Sequence, residues 1–298
     1  MKHNLLILLF LPTLFISSYI KGQSDFIAAE IELAYHCDVM TNASESRHRV
    51  MAHEKFIEGF GKLLQKEGSY NYPFDSLKWI SKKMPENKSF RIITWEVKSK
   101  VDEYKYYGFI QWSDGKLLPL SDHFKEAEDV IDEEFKADNW LGAVYYHLME
   151  VKATNGSVYY LLFGVNRWSK FENIKLVDVL FFTKDNEPVF GKPVFRKSEK
   201  DEQDVFYNRL VFKYASDAQM TVNYNSGLEM IVFDNLIPKM SRIPGQGQTL
   251  VPDGSYVGFS LDKNYWNRVD KIATEVMETA PRPNPVLDQR KGKKIFGN

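Results

Sequence analysis

The stretch from Trp140 to Phe182 limits what this chain can fold into more than any other. Its first part, Gly142 to Val151, is rich in β-branched and aromatic residues, the types that suit a pleated surface. Asn155-Gly156 follows, a dipeptide suited to a type I′ hairpin turn, in which both central residues need positive φ. Val158-Tyr159-Tyr160-Leu161-Leu162-Phe163 is apolar on both pleat faces and predicts a central, covered strand. Ile174 to Phe182 makes a third run. Three adjacent runs joined by short turns predict an antiparallel meander.

The residues before and after this meander set compartment and size. Lys2 and His3 are a short positive start, and Leu5 to Ile16 is an apolar run shorter than the ~20 helical residues needed to span a bilayer. This predicts a secretory signal peptide over residues 1–22, cleaved between Gly22 and Gln23. No transmembrane segment is expected once it is removed. A single cysteine, Cys37, rules out an intrachain disulfide framework. It reads as a small buried hydrophobe rather than a reactive thiol. A formal net charge of −1 carries no field that would favour nucleic acid.

Helical spacing occupies residues 23–85. Ile27, Ile31, Ala34 and Cys37 share one face of a first helix, with Glu30 and Asp38 off it. Ser44 is placed to cap a second helix, in which Val50, His53, Ile57, Phe60 and Leu64 form one apolar stripe. Asp75 to Lys83 reads as a further short helix. From Ser89 the period changes from helical to alternating. Phe90 to Val97 and Tyr104 to Trp112 pair as strands, and Asp114-Gly115 turns the chain into Lys116 to Leu120. Ser121 to Asn139 reads as a long surface connection. Pro188 to Phe195, with two prolines, fits an edge segment. Arg209 to Ala215, Met220 to Asn225, Glu229 to Asp234, Tyr256 to Leu261 and Tyr265 to Ile272 are further strands. Pro238 to Gly254 reads as a long loop of the kind that carries function. The β region ends near residue 275, and residues 276–298 form a Pro/Lys-rich tail expected to be disordered.

Several strings in the second half carry a resemblance. They include Asn139-Trp140-Leu141-Gly142-Ala143-Val144-Tyr145-Tyr146, Tyr159-Tyr160-Leu161-Leu162-Phe163-Gly164, Met230-Ile231-Val232-Phe233-Asp234 and Pro252-Asp253-Gly254-Ser255-Tyr256. Through them the chain resembles an uncharacterised family of exported proteins from Gram-negative bacteria. The resemblance implies export to the periplasm or outer surface and brings no activity with it. The chain departs from the family pattern at Val165-Asn166-Arg167-Trp168, where relatives place an acidic, glycine-rich turn.

Motifs of catalysis are sparse. His48 and His53 are five residues apart, not the four that puts two ligands on one helical face. The strongest anomaly is Asp178, which shares a pleat face with Ile174, Leu176, Leu180 and Phe182. A carboxylate there needs a partner, because burying an unpaired charge costs several kcal/mol. Arg209 or Lys213 would serve. Asp234 ends a strand and Asp253 lies in the loop that follows. If these two converge with Asp178 they make the oxygen-rich site that calcium prefers, or a carboxylate pair for glycoside hydrolysis. Trp168 and Tyr256, with Trp112, Trp140, Trp266 and Tyr107, are candidates for a stacking surface.

These observations predict a mainly β (α+β) chain, an antiparallel β-sandwich or open barrel with an N-terminal helical hairpin packed against it. The expected function is that of an exported, non-catalytic envelope or periplasmic protein. It would bind a ligand, a glycan or an envelope protein, through Asp178, Asp234, Asp253, Tyr256, Arg209 and Trp168, without a cofactor. The alternative is a carboxylate-based hydrolase acting on glycans, with calcium as its cofactor.

Overall fold

A computed structural model describes residues 11–198, 203–270 and 272, with side chains from Ser24 onward. The first ten residues of the expected signal peptide and the tail at 276–298 lie outside the described residues. Two helices come first, α1 (Leu11–Asn42) and α2 (Ser46–Leu64). Strands follow in chain order: β1 (Ser81–Lys83), β2 (Phe90–Lys100), β3 (Glu103–Trp112), β4 (Leu117–Ser121), β5 (Val144–Lys152), β6 (Val158–Asn166), β7 (Glu172–Phe182) and β8 (Pro188–Phe190). The rest are β9 (Phe195–Lys197), β10 (Val205–Tyr207), β11 (Leu210–Ala215), β12 (Val222–Asn225), β13 (Met230–Met240), β14 (Gln248–Asp262) and β15 (Tyr265–Val269). Among the described residues no helix is long and apolar enough to cross a membrane.

The strands form three sheets that stack face to face, and none closes into a barrel. The helix-side sheet has the order β1-β2-β3-β4. The central sheet runs β11-β7-β6-β5, with β8 also paired to β7. The outer sheet runs β10-β9-β15-β14-β13-β12, antiparallel except for β15 with β9. Pleat alternation feeds three cores. Ile93, Trp95, Val97 and Phe109 face Phe56 and Phe60 of α2. Phe90, Ile92, Ile110 and Trp112 face Tyr160, Leu162, Leu176 and Leu180 of the central sheet. Tyr159, Leu161, Phe163, Val177 and Val179, on the other pleat face, meet Ile231, Phe233, Val257, Phe259 and Trp266 of the outer sheet. This is why β6 is apolar on both faces.

The predicted meander is present, with one change of turn. At Asn155-Gly156 only Gly156 has positive φ (82°). Gly156 N–H donates to Ala153 O and Ala153 N–H to Ser157 O, both at 2.9 Å. This is a three-residue loop with its left-handed position at glycine, not a type I′ turn. Asp114-Gly115 and Asp185-Asn186 close in the same way.

Three helical readings are corrected. The buried face of α1 is Phe26, Glu30, Leu33, Cys37 and Met40, while Ile27 and Ile31 are 47% and 64% exposed. Glu30 is accepted inside because the Tyr72 hydroxyl and the Ser76 N–H each donate to it at 2.6 Å. Along α2, His53, Phe60 and Leu64 are buried as expected, joined by Phe56 and Leu63. Its N-cap is Glu45, without a side-chain cap bond, so Ser44 does not cap it. Residues 75–80 form turns, and Ser81–Lys83 is a strand. The Phe74 and Leu77 carbonyls and the Ser76 N–H all take partners outside a helical ladder. Lys82 Nζ takes both carbonyls and Glu30 takes the N–H.

Two loops are also corrected. Residues 121–139 bury Phe124, Phe135 and Ala137 and lie against the central sheet instead of running free over the surface. Residues 238–254 are not a long loop. β13 and β14 continue as a two-stranded ribbon, from Leu236↔Pro252 to Met240↔Gln248. Neither strand has an outer partner there, so Pro238 and Pro252 remove no ladder hydrogen bond.

Cys37 is 1% exposed, and burial pushes its thiol up to about 11. His53 is packed on Tyr107 (centroids 3.9 Å), its Nε2 has no partner, and burial lowers its pKa to about 4. The unfolded chain therefore binds a proton near pH 6.5 that the native state refuses until about pH 4. Stability is expected to fall as pH drops through that window, by up to about 1.4 kcal/mol per pH unit. Denaturant midpoints measured at intervals from pH 7 to pH 4 check this. His53→Phe should flatten the profile, and an unchanged slope in that variant would contradict it.

Candidate functional site

Asp178 is fully buried, and its partner is Arg209, also fully buried, with Nε to Oδ1 at 2.9 Å. Of the two partners open in the sequence, Lys213 is the one not used; it approaches Glu172 at 3.8 Å. The pair sits at a junction on the edge of β7. β8 pairs with β7 as far as Leu180↔Phe190, and β11 begins at Leu210↔Val177. Arg209 fills the gap between them. Its Nη1 donates to the Val130 and Glu133 carbonyls at 2.8 Å, and its Nη2 to Phe190 O at 2.9 Å. The Asp178 carboxylate also accepts the Val179 N–H at 2.9 Å and the Tyr145 hydroxyl at 3.3 Å. Tyr145 in turn accepts Trp140 Nε1–H at 2.8 Å. Burial, then the Asp178 charge, pushes the Tyr145 phenol well above its ordinary value. The acceptors and donors are protein groups throughout, so the pair fastens the loop at 121–139, β8 and β11 to the central sheet.

Asp234, Asp253 and Tyr256 share a different place, the bulge of the β13–β14 ladder. Asp234 pairs in register with Tyr256, and the register then shifts before Leu236↔Pro252. The Asp234 carboxylate accepts the Thr221 N–H at 2.6 Å and its hydroxyl at 2.8 Å. Asp253 is exposed and accepts from Ser255 N–H (2.8 Å), Ser255 Oγ (2.7 Å) and Asn235 Nδ2 (2.9 Å). These bonds lower its pKa, the Ser255 hydroxyl first. Asp178 belongs to the core beneath the helix-side sheet, so it does not join them. Among the described residues no group of three or more His, Cys, Asp or Glu is placed to hold a metal ion.

Of the stacking candidates in the sequence, Trp168 and Tyr107 line a cavity. A cleft of about 640 Å³ opens between β3, the end of β4, the start of the 121–139 loop and the β6–β7 connection. Tyr104, Tyr107, Phe124 and Trp168 supply its rings, and Asp122 a half-buried carboxylate. Trp168 meets Phe124 edge-on at 5.1 Å. Lys125 and Lys213 lie at 6.0 and 5.2 Å from its ring centre. Sequence reading missed Asp122. It accepts Phe124 N–H (3.0 Å), Gly142 N–H (3.2 Å) and Tyr106 N–H (3.2 Å). Burial raises its pKa against the pull of those three amides. Gly142 must be glycine here, because a Cβ would collide with Asp122 and come within 2.6 Å of Tyr106 Cβ. Beside the cleft, Arg167 pairs with Glu96 at 2.9 Å, and Tyr106 donates to the same carboxylate at 3.1 Å. Burial raises the Glu96 pKa, with Arg167 and Tyr106 acting against it. The cleft therefore offers ring faces and hydrogen-bonding groups, with the Asp122 carboxylate committed to holding loops and Glu126 exposed at its wall.

The chain matches no protein-family model, no curated protein and no solved structure.

Removing one partner of a buried ion pair leaves the other charge unsatisfied, a loss of about 3–5 kcal/mol. Arg209→Met is expected to lower unfolding free energy by that amount in urea titrations. Adding Asp178→Asn to it should cost less than the sum of the two single changes, since both remove the same interaction. Strict additivity would show that the pair does not act as a unit.

Proposed function

We propose that the protein is exported and acts without catalysis, binding a glycan-like ligand in the cleft lined by Tyr104, Tyr107, Phe124 and Trp168. The observation that carries this reading is the position of Trp168, which stands at the cleft wall with two flexible lysines over its ring. Each cation–π contact at an exposed site contributes about 0.5–1 kcal/mol. A sugar face covering about 60 Å² of ring would contribute about 1.5 kcal/mol and could displace one of them. Saccharides combine apolar C–H faces with hydroxyl donors, which fits a cavity of rings and oxygen acceptors.

Export rests on the short apolar run at residues 5–16 after Lys2 and His3, and on the resemblance to the exported family. The reading uses no cofactor. We prefer this reading to the hydrolase alternative because Asp178 lies in a core away from the β13–β14 bulge that holds Asp234 and Asp253, so the three carboxylates do not share one site.

Expression of the full chain in a Gram-negative host followed by fractionation should place a mature protein beginning at Gln23 outside the cytoplasm. A panel of cell-wall and plant-type glycans, read by thermal shift and tryptophan fluorescence, tests the cleft. A ligand at ~100 times its Kd stabilises the native state by about 2.7 kcal/mol, some degrees of Tm at this size. Trp168→Ala should abolish the shift measured against its own midpoint. Binding that survives Trp168→Ala, or a calcium-dependent shift removed by Asp234→Asn, would overturn the reading.

A further inference from the structure

A second cavity, of about 510 Å³, lies on the other side of the helix-side sheet, and its lining is one-signed: Lys82, Lys83, Lys88 and Arg91, with Tyr70 and Tyr72 among its walls and no carboxylate. Among the described residues none of the four cations is in an ion pair.

Arg91 is 4% exposed. Its guanidinium donates to Gln111 Oε1 (2.6 Å), Tyr72 O (3.0 Å) and Ser69 O (2.9 Å), and lies 5.0 Å from the Phe74 ring centre. All three acceptors are neutral, and a guanidinium has five N–H donors, so two are left over. Lys82 is held beside it by the Phe74 and Leu77 carbonyls, again neutral. The nearest carboxylates do not neutralise the pocket. Glu30 is engaged by Tyr72 and Ser76, and Asp75 is exposed. Burial lowers the proton affinity of both cations, Arg91 to about 10; at Lys82 the charges of Asp75 and Glu30 act against burial, and Arg91 acts with it. The field reaches His147, lowered by burial first and by Lys83 second. The same fold shows what a buried arginine looks like when its charge is matched, in Arg209 against Asp178.

We propose that this pocket is an oxyanion site that takes a phosphate or sulfate group, with the Arg91 guanidinium as its fixed floor and Lys83 and Lys88 as mobile ammonium arms. A planar guanidinium presents paired N–H groups that match tetrahedral oxyanions, and the lysines add point charges. The Tyr70 hydroxyl donates to Lys88 O at 2.7 Å, which fixes the backbone carrying one arm.

Thermal shift and calorimetry on the full chain test this with inorganic phosphate, sulfate, glucose 6-phosphate and glucose, each against chloride at matched ionic strength. A saturable rise in midpoint with phosphate or sulfate is expected. The double change Lys83→Ala with Lys88→Ala should weaken binding about tenfold or more, and Trp168→Ala should leave it unchanged. The lysines are chosen because Arg91→Ala would also remove three hydrogen bonds that hold the fold. Binding of glucose 6-phosphate alone, lost in the double variant, would support the site and show that the group arrives on a larger ligand. Midpoints that follow ionic strength alone would overturn the proposal. So would oxyanion binding that survives the double variant, or that is lost in Trp168→Ala.

Discussion

The Arg209–Asp178 pair is the interaction on which the rest of the β structure depends. β7 changes edge partner in mid-strand, from β8 to β11, and a change of partner leaves ladder groups exposed to an apolar interior. Gly191 N–H covers one by donating to Val179 O at 2.7 Å. Arg209 fills the gap, its N–H groups reaching the Asp178 carboxylate and the Val130, Glu133 and Phe190 carbonyls. Only a guanidinium has the planar fork to do so, and only a carboxylate opposite makes its burial tolerable. Gly191 follows from the same constraint, since it has φ +106° and a Cβ there would collide with Arg209 Nη2. One ionic contact therefore decides residue identity at three positions and fixes the path of the loop at 121–139.

The central strands were legible because they break the usual rule of one wet face. β6 is apolar on both faces, and like β7 it has a core on each side. Asp178 was legible for the converse reason, as the single charge in an apolar pleat row. Its partner could be narrowed to Arg209 or Lys213 but not chosen. Both lie on or beside β11 (Leu210–Ala215), and the choice turns on the register Leu210↔Val177, which places Arg209 one step beyond the ladder. The α1 face was misread because hydrophobicity alone ranks Ile27 and Ile31 above Glu30. What reverses the ranking is a pair of donors, Tyr72 and Ser76, more than forty residues away. No local period carries that information.

The ribbon at 236–252 and the turns at 75–80 were misread for opposite reasons. In the ribbon, proline and glycine were read as breakers, although Pro removes nothing where the outer edge of a strand is free. In the turns, Asp75 to Lys83 was read as a short helix, although the Phe74 and Leu77 carbonyls and the Ser76 N–H find partners in Lys82 and Glu30. In both cases the deciding fact is where each N–H and C=O finds its partner.

The same accounting separates the two cavities. Around the cleft at Trp168, each charge of the sheet has an opposite or a donor: Glu96 has Arg167 and Tyr106, and Asp122 has three backbone amides. That cavity carries Lys105, Lys125 and Glu126 on its exposed wall, and what its interior has to offer a ligand is ring surface and shape. At Arg91 three of the five N–H groups have acceptors, all of them neutral, and the charge is not matched. Desolvation penalises an ion for its charge as well as for lost hydrogen bonds, and neutral carbonyls answer only the second. Arg49, also buried, is held by backbone carbonyls alone, so an unmatched charge does not by itself mark a site; what sets Arg91 apart from Arg209 is that it lines a cavity with three lysines and no carboxylate. The difference is the one expected between a group whose work is internal and a group whose counter-charge comes from outside.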